Sequence, residues 1–352
     1  MGSKIIASGR CKSTHSVENF EFQSSTFFDD AGQELHGNAK IIEKLAAITG
    51  IQSRLYAPPH LVASNLAAEA AQVALSEAGL QVEQLDYIIV AHNYGDIPYG
   101  SSQSDMVPSL AARVKHQLGS KTSHGIAYDM IFGCAGWVEA LIQADAFIRA
   151  GLAKRCMVIG AETLSRVVDI HDRDSMIFAD GAGAVILSAS EQSAGFLASH
   201  TATFSDTELD YIYFGTSNAD RNNTRKRFIK MNGRKIYEFA LNEVPTAMKV
   251  CLDKAEIPIE KLGAIFMHQA NEKMNMAILE RFYKLYDLSV PEGIMPMNVS
   301  EYGNSSVATI PTLFDLVRRG ALENTQLQGG QYILFAAVGA GMNISAVAYQ
   351  YD

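Results

Sequence analysis

An α/β fold of layered sheets covered by helices, with one plan used twice, is what the 352-residue sequence predicts. Two observations carry that reading. Apolar strand-like runs alternate with segments of helical period along most of the chain. The chain also echoes itself. ALSEAGLQVEQLDYIIV (Ala74 to Val90) lies over CLDKAEIPIEKLGAIFM (Cys251 to Met267), with Leu75 on Leu252, Ala78 on Ala255, Leu85 on Leu262 and Ile88 on Ile265. Both read as a helix end, a short loop and a buried strand. Each then reaches a polar element, AHN at Ala91 to Asn93 and HQAN at His268 to Asn271. A second echo follows in the same order. CAGWVEALIQADAFIRAG (Cys134 to Gly151) and GNSSVATIPTLFDLVRRG (Gly303 to Gly320) each begin with small residues, run as a helix and stop at a glycine.

The expected strands of the first half are Tyr87–Ala91, Gly125–Met130, Cys156–Ile159 and Ala182–Leu187. Those of the second are Gly195–Thr203, Ala264–His268, Tyr332–Val338 and Ile344–Tyr349. The run near Ala182 is rich in Val, Ile and Leu with little alternation, as in a strand covered on both faces. Helices are expected at Leu66–Ala78, Gln103–Leu118, Gly136–Ala150, Lys235–Ala255, Asn271–Tyr286 and Val307–Arg319. This divides the chain into residues 1–190 and 191–352, joined near Ser190–Gly195.

Composition narrows the function classes. Apolar residues at 48% and charged residues at 19% describe an ordinary folded chain. A net charge of -9 argues against a nucleic-acid binder. Cys11, Cys134, Cys156 and Cys251 show neither close pairing nor zinc-like spacing, which points to free thiols in a reducing compartment and to no metal. The start lacks a signal-like apolar core, and no run has the length of a membrane span. A cytoplasmic protein without membrane insertion is expected.

Three residues stand out as chemistry. In YDMIFGCAGW (Tyr128 to Trp137), Gly133 and Gly136 flank Cys134 between a strand end and a helix start. Free backbone N–H groups there favour a nucleophilic thiolate. His268 emerges at the C-terminal edge of a strand, where open sheets place their chemistry. Asn304, in YGNSSVATIP, precedes a helix and reads either as its N-cap or as an amide donor aimed at a reaction centre. A histidine donor and an asparagine donor together suit a developing enolate. GAGMN (Gly339 to Asn343) reads as a tight turn with exposed N–H groups, and DGAGA (Asp180 to Ala184) as a turn entering a buried strand. Cys156 and Cys251 read as core.

The ordered set TGIQSR (Thr49 to Arg54), GCAG (Gly133 to Gly136), ADGAGAVIL (Ala179 to Leu187), MNGRKIYEFA (Met231 to Ala240), HQAN, YGNSS and GAGMN resembles the β-ketoacyl-acyl-carrier-protein synthase III group of the thiolase-like superfamily. That resemblance implies a duplicated five-layered α-β-α-β-α fold, usually a homodimer, with no bound cofactor. Substrates would arrive as coenzyme A or phosphopantetheine thioesters, the latter on an acyl carrier protein. It implies acyl transfer to Cys134, then Claisen condensation with a malonyl-type or β-ketoacyl thioester aided by His268 and Asn304. The backbone amides of Cys134 and Gly341 would form the oxyanion hole. Tyr94, Met106 and Trp137 are candidates near the acyl pocket, and Lys273 for carrier contact. The seven basic residues of Arg221–Lys235, among them Arg225, Arg227, Lys230 and Arg234, would steer an acidic carrier.

The chain departs from the acetyl-CoA-using members at one place. They carry a Trp and an Arg just before the TGI segment to hold adenine, whereas this chain has Lys44 and Ile48. That favours a carrier-borne acyl chain or a different coenzyme A contact, and leaves open the joining of two larger acyl or β-ketoacyl units, as in dialkylresorcinol or quinolone synthesis. Acyl transfer to oxygen or nitrogen is the third activity, and an inactive scaffold partner the remaining alternative. A glutamate base near the nucleophile would have to be Glu139, expected on the outer side of its helix, or Glu162.

Overall fold

A computed structural model describes residues 2–191, 194–322 and 325–352. Residues 192 and 193, within the expected junction of the halves, lie outside the described residues. Two mixed sheets form the frame. The first has the order β1-β9-β8-β6-β7: β1 (Gly2–Arg10), β6 (Tyr87–Ala91), β7 (Ile126–Met130), β8 (Arg155–Thr163) and β9 (Asp180–Ser190). The second has the order β10-β15-β14-β13: β10 (Gly195–Thr203), β13 (Leu262–Met267), β14 (Tyr332–Gly339) and β15 (Asn343–Gln350). Pairing repeats too. β6 and β8 run parallel, as do β13 and β14, while β9 and β15 run antiparallel to their neighbours on both sides. Three two-stranded ribbons decorate this frame: β2 (His15–Glu18) with β5 (Ser53–Tyr56), β3 (Phe27–Phe28) with β4 (Glu34–Leu35), and β11 (Ile212–Gly215) with β12 (Phe228–Met231).

The helices are α1 (Asn38–Thr49), α2 (Ala63–Ala78), α3 (Leu110–Gln117), α4 (Gly136–Arg149), α5 (Gly233–Lys254), α6 (Glu272–Lys284), α7 (Val299–Tyr302) and α8 (Thr309–Arg318). Three apolar clusters order the layers. Ala-rich α2 and α3 cover one face of the first sheet. α4 and α8 lie between the sheets, where Trp137, Phe266, Phe314 and Phe335 meet. α5 and α6 cover the far face of the second sheet. The five layers are therefore helix, sheet, helix, sheet, helix, and α4 and α8 are apolar because both of their sides are buried.

Three expectations change. The helix expected over Gln103–Leu118 forms only from Leu110, because Pro108 and the polar run before it favour turns and Ser109 caps the helix by accepting from Ala112 N–H at 3.2 Å. DGAGA belongs to β9 rather than to a turn. Glu139 does not face outward, since its Oε2 accepts from Thr201 Oγ1 at 2.8 Å and Ser345 Oγ at 2.9 Å in the second sheet. Among the described residues, no helix is long and apolar enough to cross a membrane.

Candidate active site

Cys134 sits where the two halves touch backbone to backbone. Gly133 adopts φ +59°, and a Cβ there would lie 2.5 Å from Ala340 N and 2.7 Å from Ala340 O. A Cβ on Gly339 would lie 2.1 Å from Cys134 N. Only glycine permits that approach from either side. α4 begins at Gly136 with Ala135 as N-cap, so Cys134 lies one residue before the cap. Cys134 is partly exposed, yet burial of its sulfur pushes the thiol up to about 11, against the pull of a hydrogen bond from Ser306 and with a further rise from the Glu162 carboxylate. Burial and the nearby carboxylate thus oppose the thiolate that the helix start favours.

Gly339 packs against Cys134 and Ala340 against Gly133, while Gly341, at φ +75°, has Asn343 as its near neighbour.

His268 follows β13 directly, and its N–H donates to Ala336 O at 3.0 Å. It is not the cap of α6. Asn271 fills that role by accepting from Met274 N–H at 2.9 Å. The ring's Nδ1 lies 2.8 Å from Thr309 Oγ1, which leaves Nε2 as the nitrogen able to address a substrate. Burial alone drives this histidine down to about 4, so the ring is neutral at pH 7.

Asn304 is not the N-cap of α8 either, which is Ala308. The Asn304 Oδ1 accepts from Ser306 N–H at 2.8 Å. With the carbonyl end fixed, the Nδ2 end is the one free to donate outward. Ser306 ties the set together. Its Oγ donates to Cys134 Sγ at 3.2 Å, and its carbonyl accepts from Thr309 Oγ1 at 2.9 Å. Cys134, His268 and Asn304, distant in sequence, thus belong to one hydrogen-bonded network.

Tyr94 stacks on Phe214 with centroids 5.1 Å apart and lies close enough to Cys134 for its phenol to sense a charge there. Phe214 in turn lines an open surface cleft with Asp210, Tyr213 and Arg227. Arg225, Arg227, Arg234 and Lys273 are exposed, and Arg234 also pairs with Glu238 at 2.9 Å. Lys230 leaves the basic surface. It is buried and bound by Asp169 at 2.8 Å and Asp172 at 2.9 Å, because a cation in the β12 interior needs paired carboxylates. Trp137 leaves the pocket set, being 1% exposed in the central core beside Phe335. Met106 lies on the surface against Gly95. Sequence reading assigned no role to Ser306, Thr309 and Asn93, all inside motifs it did single out, and named Glu162 only loosely.

A cysteine at a helix start between two sheets of repeated topology, networked to a histidine and an asparagine of the other half, defines the thiolase-like condensing class, whose members act on thioesters. The matches are narrower. The model described as 3-Oxoacyl-[acyl-carrier-protein (ACP)] synthase III matches residues 128–205, and that of its C-terminal part residues 252–351. Beta-ketoacyl-[acyl-carrier-protein] synthase III of Porphyra purpurea is 33% identical over all of both chains. The chain belongs to the synthase III family. The crystal structure of the Aquifex aeolicus synthase III superposes with a TM-score of 0.80 at 29% identity, over 99% of this chain and 100% of that one. OleA of Xanthomonas campestris, at 16% identity and a TM-score of 0.78, covers 100% of this chain and 99% of its own and shares the fold alone.

Proposed function

We propose that the chain transfers an acyl group from a thioester to Cys134 and condenses it with a malonyl-type thioester. In the first step the acyl carbon bonds to Sγ, its bond to the donor sulfur breaks, and the Cys134 proton leaves with the departing thiol. The amides of Cys134 and Ala340 are the proposed oxyanion hole. In the second step the malonyl C–CO2 bond breaks, CO2 leaves and the electron pair becomes an enolate. Asn304 Nδ2–H and His268 Nε2–H stabilise it. His268 is neutral at rest with its ring proton on Nδ1 toward Thr309, and the anionic malonyl group favours uptake of a second proton from solvent on Nε2. The enolate carbon attacks the acyl carbonyl, the C–Sγ bond breaks, and Cys134 recovers the proton carried by His268.

The single observation behind this reading is the network joining Cys134, Ser306, Asn304, Thr309 and His268. We further propose that the acyl donor is carried on the phosphopantetheine of an acidic carrier protein in the cytoplasm. Lys44 and a 46%-exposed Ile48 stand where adenine would be held, and Arg225, Arg227 and Lys273 are exposed. A homodimer through the edge of β7 completes the reading, since Ile126 and Ile131 there are more than half exposed.

The test is intact mass after incubation with acyl-carrier and acyl-CoA donors, followed by malonyl or β-ketoacyl thioesters and product analysis. An acyl adduct that Cys134→Ala abolishes, and a malonyl-dependent β-keto product, are expected. Adduct without any carbon–carbon product would overturn the condensation step, and no adduct with any donor would overturn the enzyme.

A further inference from the structure

Three groups around the nucleophile take no part in the chemistry above, and they form one chain. Glu162 Oε1 accepts from Asn93 backbone N–H at 2.7 Å and from Asn93 Nδ2 at 2.8 Å. The same Nδ2 donates to Ser306 Oγ at 3.1 Å, and Ser306 Oγ donates to Cys134 Sγ at 3.2 Å. Glu162 is 1% exposed and Ser306 2%.

Resting on the Cys134 reading, we propose that Ser306 is a catalytic hydroxyl that stabilises the Cys134 thiolate, and that Asn93 and Glu162 are positioning residues that fix the direction of its proton. The argument is a count of hydrogens. An amide nitrogen has two, and both are committed here, one to Glu162 and one to Ser306. Ser306 Oγ receives a proton from Asn93, so its own single proton is left for sulfur. A hydroxyl donor to a thiolate is a charge-assisted bond, stronger than the bond it makes to the thiol, so it favours the reactive form.

The backbone of Ser306 is held for this purpose from both sides. It sits at φ +53°, in the left-handed region that non-glycine residues rarely adopt. Its N–H is bound by Asn304 and its carbonyl by Thr309. The same residue therefore couples the nucleophile to Asn304 and, through Thr309, to His268. Glu162 acts by hydrogen bonding and not by charge. Its carboxylate opposes a thiolate through space, and burial holds its own proton up to about 7. Either form can accept from Asn93. His92, next to Asn93, lowers the Glu162 carboxyl electrostatically, and the Tyr94 phenol is close enough to feel a charge on Cys134.

The experiment is substrate-free, so it separates from any failure of the condensation reading: the pH dependence of Cys134 alkylation by iodoacetamide, followed by intact mass on the full chain. Ser306→Ala removes the hydroxyl, and Ser306→Gly does so while suiting the positive φ, which covers a failure of the alanine variant to fold. Both should move the alkylation midpoint up by about one pH unit, with ~10-fold slower reaction at pH 7.5. Asn93→Ala should move it in the same direction by less. Glu162→Gln keeps an acceptor for Asn93 and loses the charge, so its midpoint should stay or fall. An unchanged midpoint in folded Ser306→Gly overturns the role of Ser306. A rise in Glu162→Gln equal to that of Ser306→Gly, or no shift in Asn93→Ala, overturns the positioning roles.

Discussion

The two halves use one plan and end it differently. The first sheet finishes at β7, a regular strand whose outer edge is open. In the second half the corresponding place holds Gly293–Asn298, which touches β13 through the bond from Ile265 N–H to Ile294 O at 2.8 Å but is interrupted by Pro296 and forms no strand. The two histidines near these strand ends also differ, although in the echo His92 lies over Gln269 and Ala91 over His268. His92 Nε2 lies 2.9 Å from Asp129 Oδ2, a carboxylate that also binds the first two N–H groups of α3. The His268 ring, among the described residues, is hydrogen-bonded to the Thr309 hydroxyl. His92 is tied to a carboxylate of the scaffold, whereas the buried His268 ring is hydrogen-bonded to a neutral hydroxyl. A charged partner on one ring and a neutral one on the other is what separates them.

Replacing each histidine breaks or sharpens that contrast. His268→Ala should retain acylation of Cys134 by intact mass and lose condensation by about 10²- to 10³-fold, the scale of removing one donor from a developing oxyanion. A variant that still condenses at the parental rate would remove His268 from the mechanism. His92→Gln should behave oppositely. It leaves Asp129 short of a partner, costs about 1–3 kcal/mol in denaturant unfolding, and lowers turnover by less than tenfold. The edges give the next contrast. Ile126→Lys on open β7 should convert a dimer to a monomer in sedimentation, because a charge on an edge strand disfavours pairing. A dimer that persists would place the interface elsewhere. Smaller still is the effect expected at Trp137. Trp137→Phe should lower stability by about 1–2 kcal/mol and leave donor chain-length preference unchanged, as befits a core residue rather than a pocket wall. An altered preference would restore it to the pocket.

The fold was legible where periodicity is strong. Gly195–Thr203 and Tyr87–Ala91 coincide with β10 and β6, and five of the six expected helices agree to within a few residues because their apolar faces are long. β1 was not legible, since GSKIIASGR has neither clean alternation nor a continuous apolar run, and its place is fixed by pairing with β9 far along the chain. In the site, Cys134, His268 and Asn304 could be named from motifs. Their connectors could not. Ser306 is one of two adjacent serines, and nothing local says which of them turns its hydroxyl to sulfur; that follows from φ +53°. Lys230 looked like its exposed neighbours because charge in a run carries no sign of burial.

The last contrast lies in proton binding between two buried groups of the same site. His268 is held at about 4 when folded against 6.5 in a free chain. Between those values the unfolded chain takes up a proton that the folded one refuses, so this group removes about 3 kcal/mol of stability as pH falls from 6.5 to 4. Glu162 is held up at about 7 against 4.5. Between 4.5 and 7 the folded chain keeps a proton that the unfolded one has released, so this group removes a similar amount as pH rises across that range. The two slopes oppose and largely cancel from pH 4.5 to 6.5. His268→Gln should unmask the Glu162 slope, with stability relative to the parent falling as pH rises from 4 to 6.5. Glu162→Gln should unmask the opposite slope, its stability relative to the parent rising from pH 4.5 to 7. Urea unfolding across pH 4–8 reads both differences. Variants whose curves run parallel to the parent's would show that the imidazole and the carboxyl reach water, and with it a site far wetter than the burial of His268 and Glu162 describes.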